Sequence, residues 1–317
     1  MPGSKVSAPQ IVCVGEAMVV LTPADDVPLS HAERFVRSVG GAELNVALTL
    51  AGLGVPAAWL SRLGDDGFGR HVAAVARDAG IDLTAVTFDA GRPTGLYVKE
   101  PGTAPDGSRR SAMLYYRDGS AASALSKADL RRPAVAAVLA GARVVHVSGI
   151  TPGLSDSAAA FCDALPDALG PSTRLTVDLN YRPALWRDRD VAPLHRLLAS
   201  AEEVLLGADE AVSVFGTAEP DALLRALPRA RRVLLKQEEH GVLVLSRDGR
   251  LHVPALDVDV VEPVGAGDAF AAGYLAGRWY GLDVRPAVVL GHRCAAAALA
   301  VREDRPVTLP DWKDLAR

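Results

Sequence analysis

Cysteine is scarce. The 317-residue chain has three, at positions 13, 162 and 294, widely separated and with no Cys-x-x-Cys pair, so neither a disulfide framework nor a zinc site is indicated. The seven histidines show no metal-ligand spacing, and His71, His146 and His292 read as packed helix or strand residues. Long apolar runs are missing too. No stretch reaches the roughly 18 uncharged apolar residues of a membrane span, and the run Ile11–Val14, which ends at Gly15-Glu16, is too short for a signal peptide. A net charge of −4 leaves nothing to favour nucleic acid or an anionic membrane as partner. A reducing, cytoplasmic setting is the simplest expectation. No Ser/Gly-rich or charge-rich linker and no fixed repeat divides the chain, so one domain spanning 1–317 is expected.

What is present is alternation. With 49% hydrophobic and 23% charged residues, the chain can bury a sizeable core. Strands are expected at Ile11–Val14, Ala58–Ser61, Arg143–Val147, Leu175–Asp178, Val204–Leu206 and Val233–Lys236. Helices are expected over Glu43–Leu53, Gly67–Asp78, Ser126–Leu139, Asp156–Leu165, Pro193–Ala201 and Asp209–Phe215. Short β-branched runs between helical segments imply parallel strands joined by crossover helices, in an α/β helix–sheet–helix arrangement of three layers. Their lack of strict polar alternation fits strands buried on both faces. Met18–Leu21 with Phe35–Val39, and Val86–Phe88 with Gly95–Glu100 and Arg110–Tyr116, lack intervening helices and are expected to form a small antiparallel lid sheet, drawn from about 18–39 and 86–116. Pro101–Arg109 reads as an exposed hairpin turn. Towards the end, Gly241–Ser246 and Arg250–Pro254 read as a hairpin, followed by helices Ala266–Trp279 and Arg285–Val301.

The segment richest in chemistry is Gly265-Ala266-Gly267-Asp268, which opens the apolar helix to Trp279. Two glycines let the backbone turn tightly against a ligand, and the helix start offers unpaired N–H groups and a positive dipole end to an anion. Asp268, in the first turn, is placed to accept a proton from an alcohol whose O–H turns acidic as it bonds to phosphorus. The plainer reading is a glycine turn opening a helix, with Asp268 stabilising its start. Near the other end, Gly40-Gly41-Ala42-Glu43-Leu44-Asn45 is a second loop-to-helix junction. Asn45 carries a two-way hydrogen-bonding amide suited to sugar hydroxyls, unless it is an ordinary helix-surface residue. A dinucleotide-binding dehydrogenase is excluded at the first strand, because Gly15-Glu16-Ala17-Met18 lacks the second glycine that the turn needs.

Together these two segments resemble the paired signatures of the ribokinase-like (phosphofructokinase B type) carbohydrate kinases, from about Ile11 to Pro310. The resemblance implies that ATP and Mg²⁺ are used to phosphorylate a small sugar, that the extra strands form a lid, and that a homo-oligomer is expected. Thr94-Gly95-Leu96-Tyr97, Tyr115-Tyr116-Arg117, Ser148–Pro152 and Asp178–Arg182 are similar to 2-keto-3-deoxygluconate kinases. By that resemblance Gly41, Asn45, Tyr97, Tyr115, Tyr116, Arg117 and Asp304 bind the substrate. Asn180, Arg182, Lys236 and Gly241 face the nucleotide, with Gly265, Ala266, Gly267 and Asp268 around the transferred phosphoryl group and Glu210 reaching Mg²⁺ through water. Arg117 beside two tyrosines is also a sensible grip on a carboxylate in its own right, though Tyr-Tyr-Arg can equally pack at a strand end.

The chain departs from the pattern at Glu238, where glycine is usual, and at Glu262, Gly207 and Glu303. Two acidic side chains at Glu238 and Glu239 would repel phosphates unless they point away. A fructokinase or another sugar kinase of the family is the alternative reading, because these share the Asp-x-Asn-x-Arg and Tyr-Arg segments, and Glu238 and Gly207 favour a non-catalytic sugar or nucleotide sensor as the rival. Intact Asp268 argues against the sensor.

Overall fold

The computed structural model describes residues 11–25, 27–102 and 111–316. Among the described residues, thirteen strands occur in chain order: β1 Ile11–Val14, β2 Met18–Pro23, β3 Phe35–Gly40, β4 Ala57–Gly64, β5 Val86–Asp89, β6 Leu96–Glu100, β7 Ala112–Tyr116, β8 Val144–Ser148, β9 Arg174–Asp178, β10 Glu203–Gly207, β11 Arg232–Lys236, β12 Val242–Ser246 and β13 Gly249–Val253. Nine of them form one sheet in the order β13-β12-β11-β10-β9-β8-β1-β4-β5, and the other four form a second sheet, β3-β2-β6-β7. In the large sheet every pairing from β11 to β5 is parallel, and the β12–β13 hairpin joins antiparallel at one edge.

Among the described residues, twelve α-helices accompany the large sheet: α1 Ala42–Gly52, α2 Gly67–Asp78, α3 Lys127–Leu130, α4 Pro133–Gly141, α5 Ile150–Gly153, α6 Asp156–Ala164, α7 Pro183–Trp186, α8 Ala192–Ser200, α9 Ala208–Phe215, α10 Pro220–Ala226, α11 Ala266–Trp279 and α12 Val284–Leu299. The residues of β1 show how the layers arise. Ile11 and Cys13 pack into one apolar cluster with α1, α2, α11 and α12, whereas Val12 and Val14 pack into another with α4, α6 and α8. Side chains of a strand alternate between faces, and here both faces are covered, so the strand reads as an unbroken apolar run. Among the described residues, no helix is long and apolar enough to cross a membrane.

The expected three layers and lid are present, with corrections. Val86–Phe88 does not join the lid. As β5 it pairs in parallel with β4 at the edge of the large sheet, because α2 has already returned the chain to that edge. The lid is also not wholly antiparallel, since β2 and β6 run parallel. The single helix expected over Ser126–Leu139 is two, because Pro133, lacking an N–H, starts a new helix rather than continuing the old one. The turn expected at Pro101–Arg109 lies almost wholly outside the described residues.

Trp59, fully buried in β4, illustrates how core and site are joined. Its indole N–H donates to the Gly15 carbonyl at 3.2 Å, just past the end of β1. Trp59→Phe should cost about 2 kcal/mol of unfolding free energy in urea titrations, through lost volume and the lost donor.

Candidate active site

Parallel strands end together, so β1, β8, β9, β10 and β11 deliver their C-terminal residues to one edge, where open α/β sheets bind ligands. A cavity of about 420 Å³ lies there, between these ends and the lid. Its floor is the start of α11. Gly265 adopts φ +81°, a left-handed conformation, and a Cβ on it would strike the Asp304 carbonyl. Glycine is therefore required on two counts. No side chain caps this 14-residue helix, so the N–H groups of Gly267 and Asp268 in its first turn are left for the cavity that both residues line.

Asp268 lies in that first turn. Its two oxygens accept from two asparagines in different parts of the fold: Asn45 Nδ2 to Oδ2 at 2.9 Å and Asn180 Nδ2 to Oδ1 at 3.3 Å. Burial pushes its carboxyl up to about 7, against the Asn45 hydrogen bond, which pulls the other way. The fold reaches both asparagines through unusual backbone. Gly41, at φ +133°, precedes α1 and lets the Glu16 carbonyl approach where a Cβ would sit. Asn180 itself stands at φ +40° just past β9, a conformation that asparagine tolerates better than most residues. Asn45 was expected at the sugar and Asn180 at the nucleotide. Both line the cavity and both also hold Asp268, while Asn45 Oδ1 is buried with no protein partner.

Lys236 at the end of β11, expected to face the nucleotide, donates to both oxygens of Asp178, at 3.0 and 3.1 Å. Burial alone would lower the lysine's pKa, but Asp178 and Glu210 outweigh it and hold the ammonium charged. Asp178 was not picked out as a site residue, although it lines the cavity. Glu210 spends its oxygens on backbone: Oε1 accepts from Tyr181 N at 2.9 Å and Oε2 from Gly207 N at 2.8 Å, with Arg182 4.0 Å away. No cluster of three or more metal-ligating side chains occurs among the described residues. These donors suit a Mg²⁺ ion that keeps its water and is held largely by phosphates.

Three expected contacts are not brought into the cavity. Gly241 turns the corner into β12 at φ +98°, with its Cα against the Val253 carbonyl, and does not line the site. Ala266 is also absent from the lining, its N–H leaning on the Pro263 carbonyl at 3.4 Å. Tyr116 lies on the outer face of β7 and is 64% exposed, because strand alternation turns it away from its neighbours Tyr115 and Arg117. Of the departures, Glu238, Glu239 and Glu303 are exposed outside the cavity, whereas Glu262 is buried and lines it. Glu238 occupies φ +49°, the physical reason glycine suits that position.

On the lid side, Tyr97 and Tyr115 face each other with ring centroids 5.4 Å apart, and the Arg117 guanidinium lies 5.5 Å from the Tyr115 ring. Two residues that sequence reading missed organise this end. Glu16 pairs with Arg117 and accepts the Ser120 hydroxyl at 2.5 Å. Lys99 sits 2.5 Å from Asp304 Oδ1 and donates to the Arg302 carbonyl at 3.1 Å, while the Tyr97 hydroxyl donates to Asp304 Oδ2. Burial pushes the Asp304 carboxyl up, to about 7, and the adjacent ammonium opposes that push. Lys99 follows Tyr97 by two residues on one strand, so the period of two was the available signal. Glu16 and Asp178, each at or just past a strand end, carried no local signal beyond that position.

Such a cavity offers a positioned base, an anion-binding helix start and a sugar-sized polar compartment. Comparison with known proteins shows the family. The model of the pfkB family carbohydrate kinases matches residues 8–311. A 2-dehydro-3-deoxygluconokinase of Thermoproteus tenax is 32% identical over 299 residues, covering 93% of this chain and 89% of that protein. Fructokinase-1 of Oryza sativa subsp. japonica is 33% identical over 274 residues, covering 84% and 81%. The crystal structure of a PfkB protein from Polaromonas sp. JS666 superposes with a TM-score of 0.83 at 32% identity, covering 98% of this chain and 99% of that one. The match runs through both loop-to-helix junctions that hold the Asp268 site, and the chain belongs to the pfkB family of carbohydrate kinases, ATP-dependent phosphotransferases that act on sugars.

Proposed function

We propose that this kinase phosphorylates a sugar acid, with 2-keto-3-deoxygluconate (2-dehydro-3-deoxygluconate) as first choice and its 6-phosphate as product. The observation that carries the reading is Arg117, a guanidinium beside Tyr97 and Tyr115 in the cavity that also contains Asp268. A planar two-point donor next to phenolic hydroxyls suits a carboxylate and its neighbouring carbonyl. The relative from Thermoproteus tenax supports it by its named activity. A neutral sugar such as fructose is the second reading. It is favoured by one observation, that Glu16 already pairs with Arg117, and by the rice fructokinase.

In this reading Asp268 accepts the proton of the primary hydroxyl as that oxygen bonds to phosphorus, while Asn45 and Asn180 fix the carboxylate's direction. The first-turn N–H groups of α11, at Gly267 and Asp268, stabilise the charge on the transferring group. Lys236 and Arg182 stand beside the phosphates. Bound Mg-ATP would supply the phosphoryl group, with Glu210 the residue that would reach the ion through water.

With Mg-ATP, purified protein should turn over 2-keto-3-deoxygluconate with a higher kcat/KM than fructose or ribose. A higher value for fructose would replace the first reading with the second, and no turnover of any sugar would favour a sensor. Asp268→Asn should lower kcat by about 10²–10⁴-fold while keeping the parent's melting temperature, since the amide is nearly isosteric. Activity should also depend on pH. The base works ionised and its carboxyl is raised to about 7, so kcat/KM should fall about tenfold per unit as pH drops below that value and level off above it. A profile flat from pH 5 to 8, with chemistry limiting, would remove Asp268 from the base role.

A further inference from the structure

The sugar end of the cavity is charge-balanced by the protein before any substrate enters. Lys99 answers Asp304, and Glu16 answers Arg117. We propose that Glu16 is the residue that sets the choice between acidic and neutral sugars, by serving as the fixed counter-ion of Arg117.

Glu16 lies two residues past the end of β1, with its side chain 1% exposed, and the Arg117 side chain is 9% exposed. Both line the cavity that contains Asp268. The carboxylate is anchored on one side only: Oε1 accepts from Ser120, whereas Oε2, facing Arg117, has no aligned hydrogen-bond donor. Arg117 in turn has a buried Nε without a partner. A guanidinium carries five N–H donors, so one carboxylate oxygen does not exhaust it, and the pair stays open to a third group. The surroundings are cut to fit. Gly95 packs where a Cβ would lie 3.0 Å from Met18 Cγ and 3.1 Å from Glu16 Oε1, so a side chain there would press on the Glu16 carboxylate.

Such a pair is a poor device for stability, because two desolvated charges often contribute less than apolar side chains of the same volume. Its effect falls on the ligand. A neutral sugar needs only donors and acceptors, which the pair supplies with no net charge. A carboxylate must share Arg117 with a like charge that cannot leave, and in a largely desolvated site that repulsion is weakly screened. Glu16 thereby weakens the grip on an acid without weakening the grip on a neutral sugar.

This inference rests on the proposed function only in placing the sugar at this end; it does not depend on which sugar is preferred. Glu16→Gln keeps the size and the Ser120 contact and removes the charge. The ratio of kcat/KM for 2-keto-3-deoxygluconate to that for fructose should rise roughly tenfold or more, with KM for ATP close to that of the parent, while the melting temperature should fall because Arg117 loses its buried counter-ion. If the parent turns over only one of the two, the competitive Ki of gluconate against that substrate replaces the ratio and should fall by a similar factor. Should Glu16→Gln fail to fold, Glu16→Asp withdraws the carboxylate by one methylene and should shift the same readout in the same direction by less. Ser120→Ala leaves both charges in place and should leave the ratio unchanged. A ratio or Ki that does not move, or that moves against the acid, in a folded Glu16 variant would overturn the role, whichever sugar the parent prefers.

Discussion

A carboxylate kept largely out of water at the start of an uncapped helix is the constraint on which the rest of this molecule depends. Asp268 carries a negative charge where burial disfavours it, and the helix N-terminus only partly offsets that. The fold responds with two amide donors from distant segments, Asn45 and Asn180, 223 and 88 residues away in sequence. Each is delivered by backbone that few residues adopt. The left-handed Asn180 and the glycine before α1 are local costs of order 1–3 kcal/mol, tolerated because α1, β9 and α11 are fixed by the core beneath them. In its proposed role as base, Asp268 is thus oriented before any substrate arrives, which is where an enzyme gains most from preorganisation.

The same logic extends across the cavity. Its charged groups are numerous, and nearly all are committed: Lys236 to Asp178, Glu210 to two backbone amides, Glu16 to Arg117 and Asp304 to Lys99. None of these arrangements is the cheapest way to fill space, since buried pairs often fail to recover their desolvation. What they provide is a compartment whose field is fixed by geometry. On the proposed reading, an incoming phosphate would meet the helix start and a neutralised Lys236–Asp178 pair, and an incoming sugar would meet hydroxyls, amides and a pre-balanced guanidinium. Discrimination between ligands is then governed by which pair must be shared, and by how much.

How much of this could be read from the sequence depended on whether the governing interaction was local. The strand and helix alternation was legible because burial on both faces of the sheet leaves unbroken apolar runs. Helix α11 was placed residue for residue because glycines and an apolar run mark its start. Gly265, Gly267, Asp268, Gly41 and Asn45 were legible as glycine-marked loop-to-helix junctions. What failed was pairing between distant segments. Nothing in Val86–Phe88 says that it follows β4 rather than joining the lid, because the decision is made by where α2 ends. Tyr116 was grouped with Tyr115 and Arg117 by adjacency, whereas the pleat puts neighbours on opposite faces. Gly241 needed a positive φ for a corner of the chain, and that requirement looks the same in sequence as a ligand-contacting glycine. Glu16, Lys99 and Asp178 matter through partners 101, 205 and 58 residues away, and no window of sequence contains both members of any pair.

One consequence of those long-range pairs concerns how the two halves of the cavity communicate. Asp304 is gripped from the lid through its side chain, by Tyr97 and Lys99 of β6. Its backbone carbonyl, meanwhile, rests against Gly265, close enough that no Cβ fits between them. Side chain and backbone of one residue therefore join the lid sheet to the turn that opens α11. Close-packed interiors transmit small displacements rather than absorb them, and a strained left-handed turn has little freedom to yield independently. A shift of β6 that carries Asp304 with it must press on or release Gly265, and so alter where the first-turn N–H groups of α11 point. The position of the lid and the geometry of the phosphoryl site are in this way two aspects of a single packing contact, held in register by a buried lysine and a tyrosine hydroxyl on the same face of one strand.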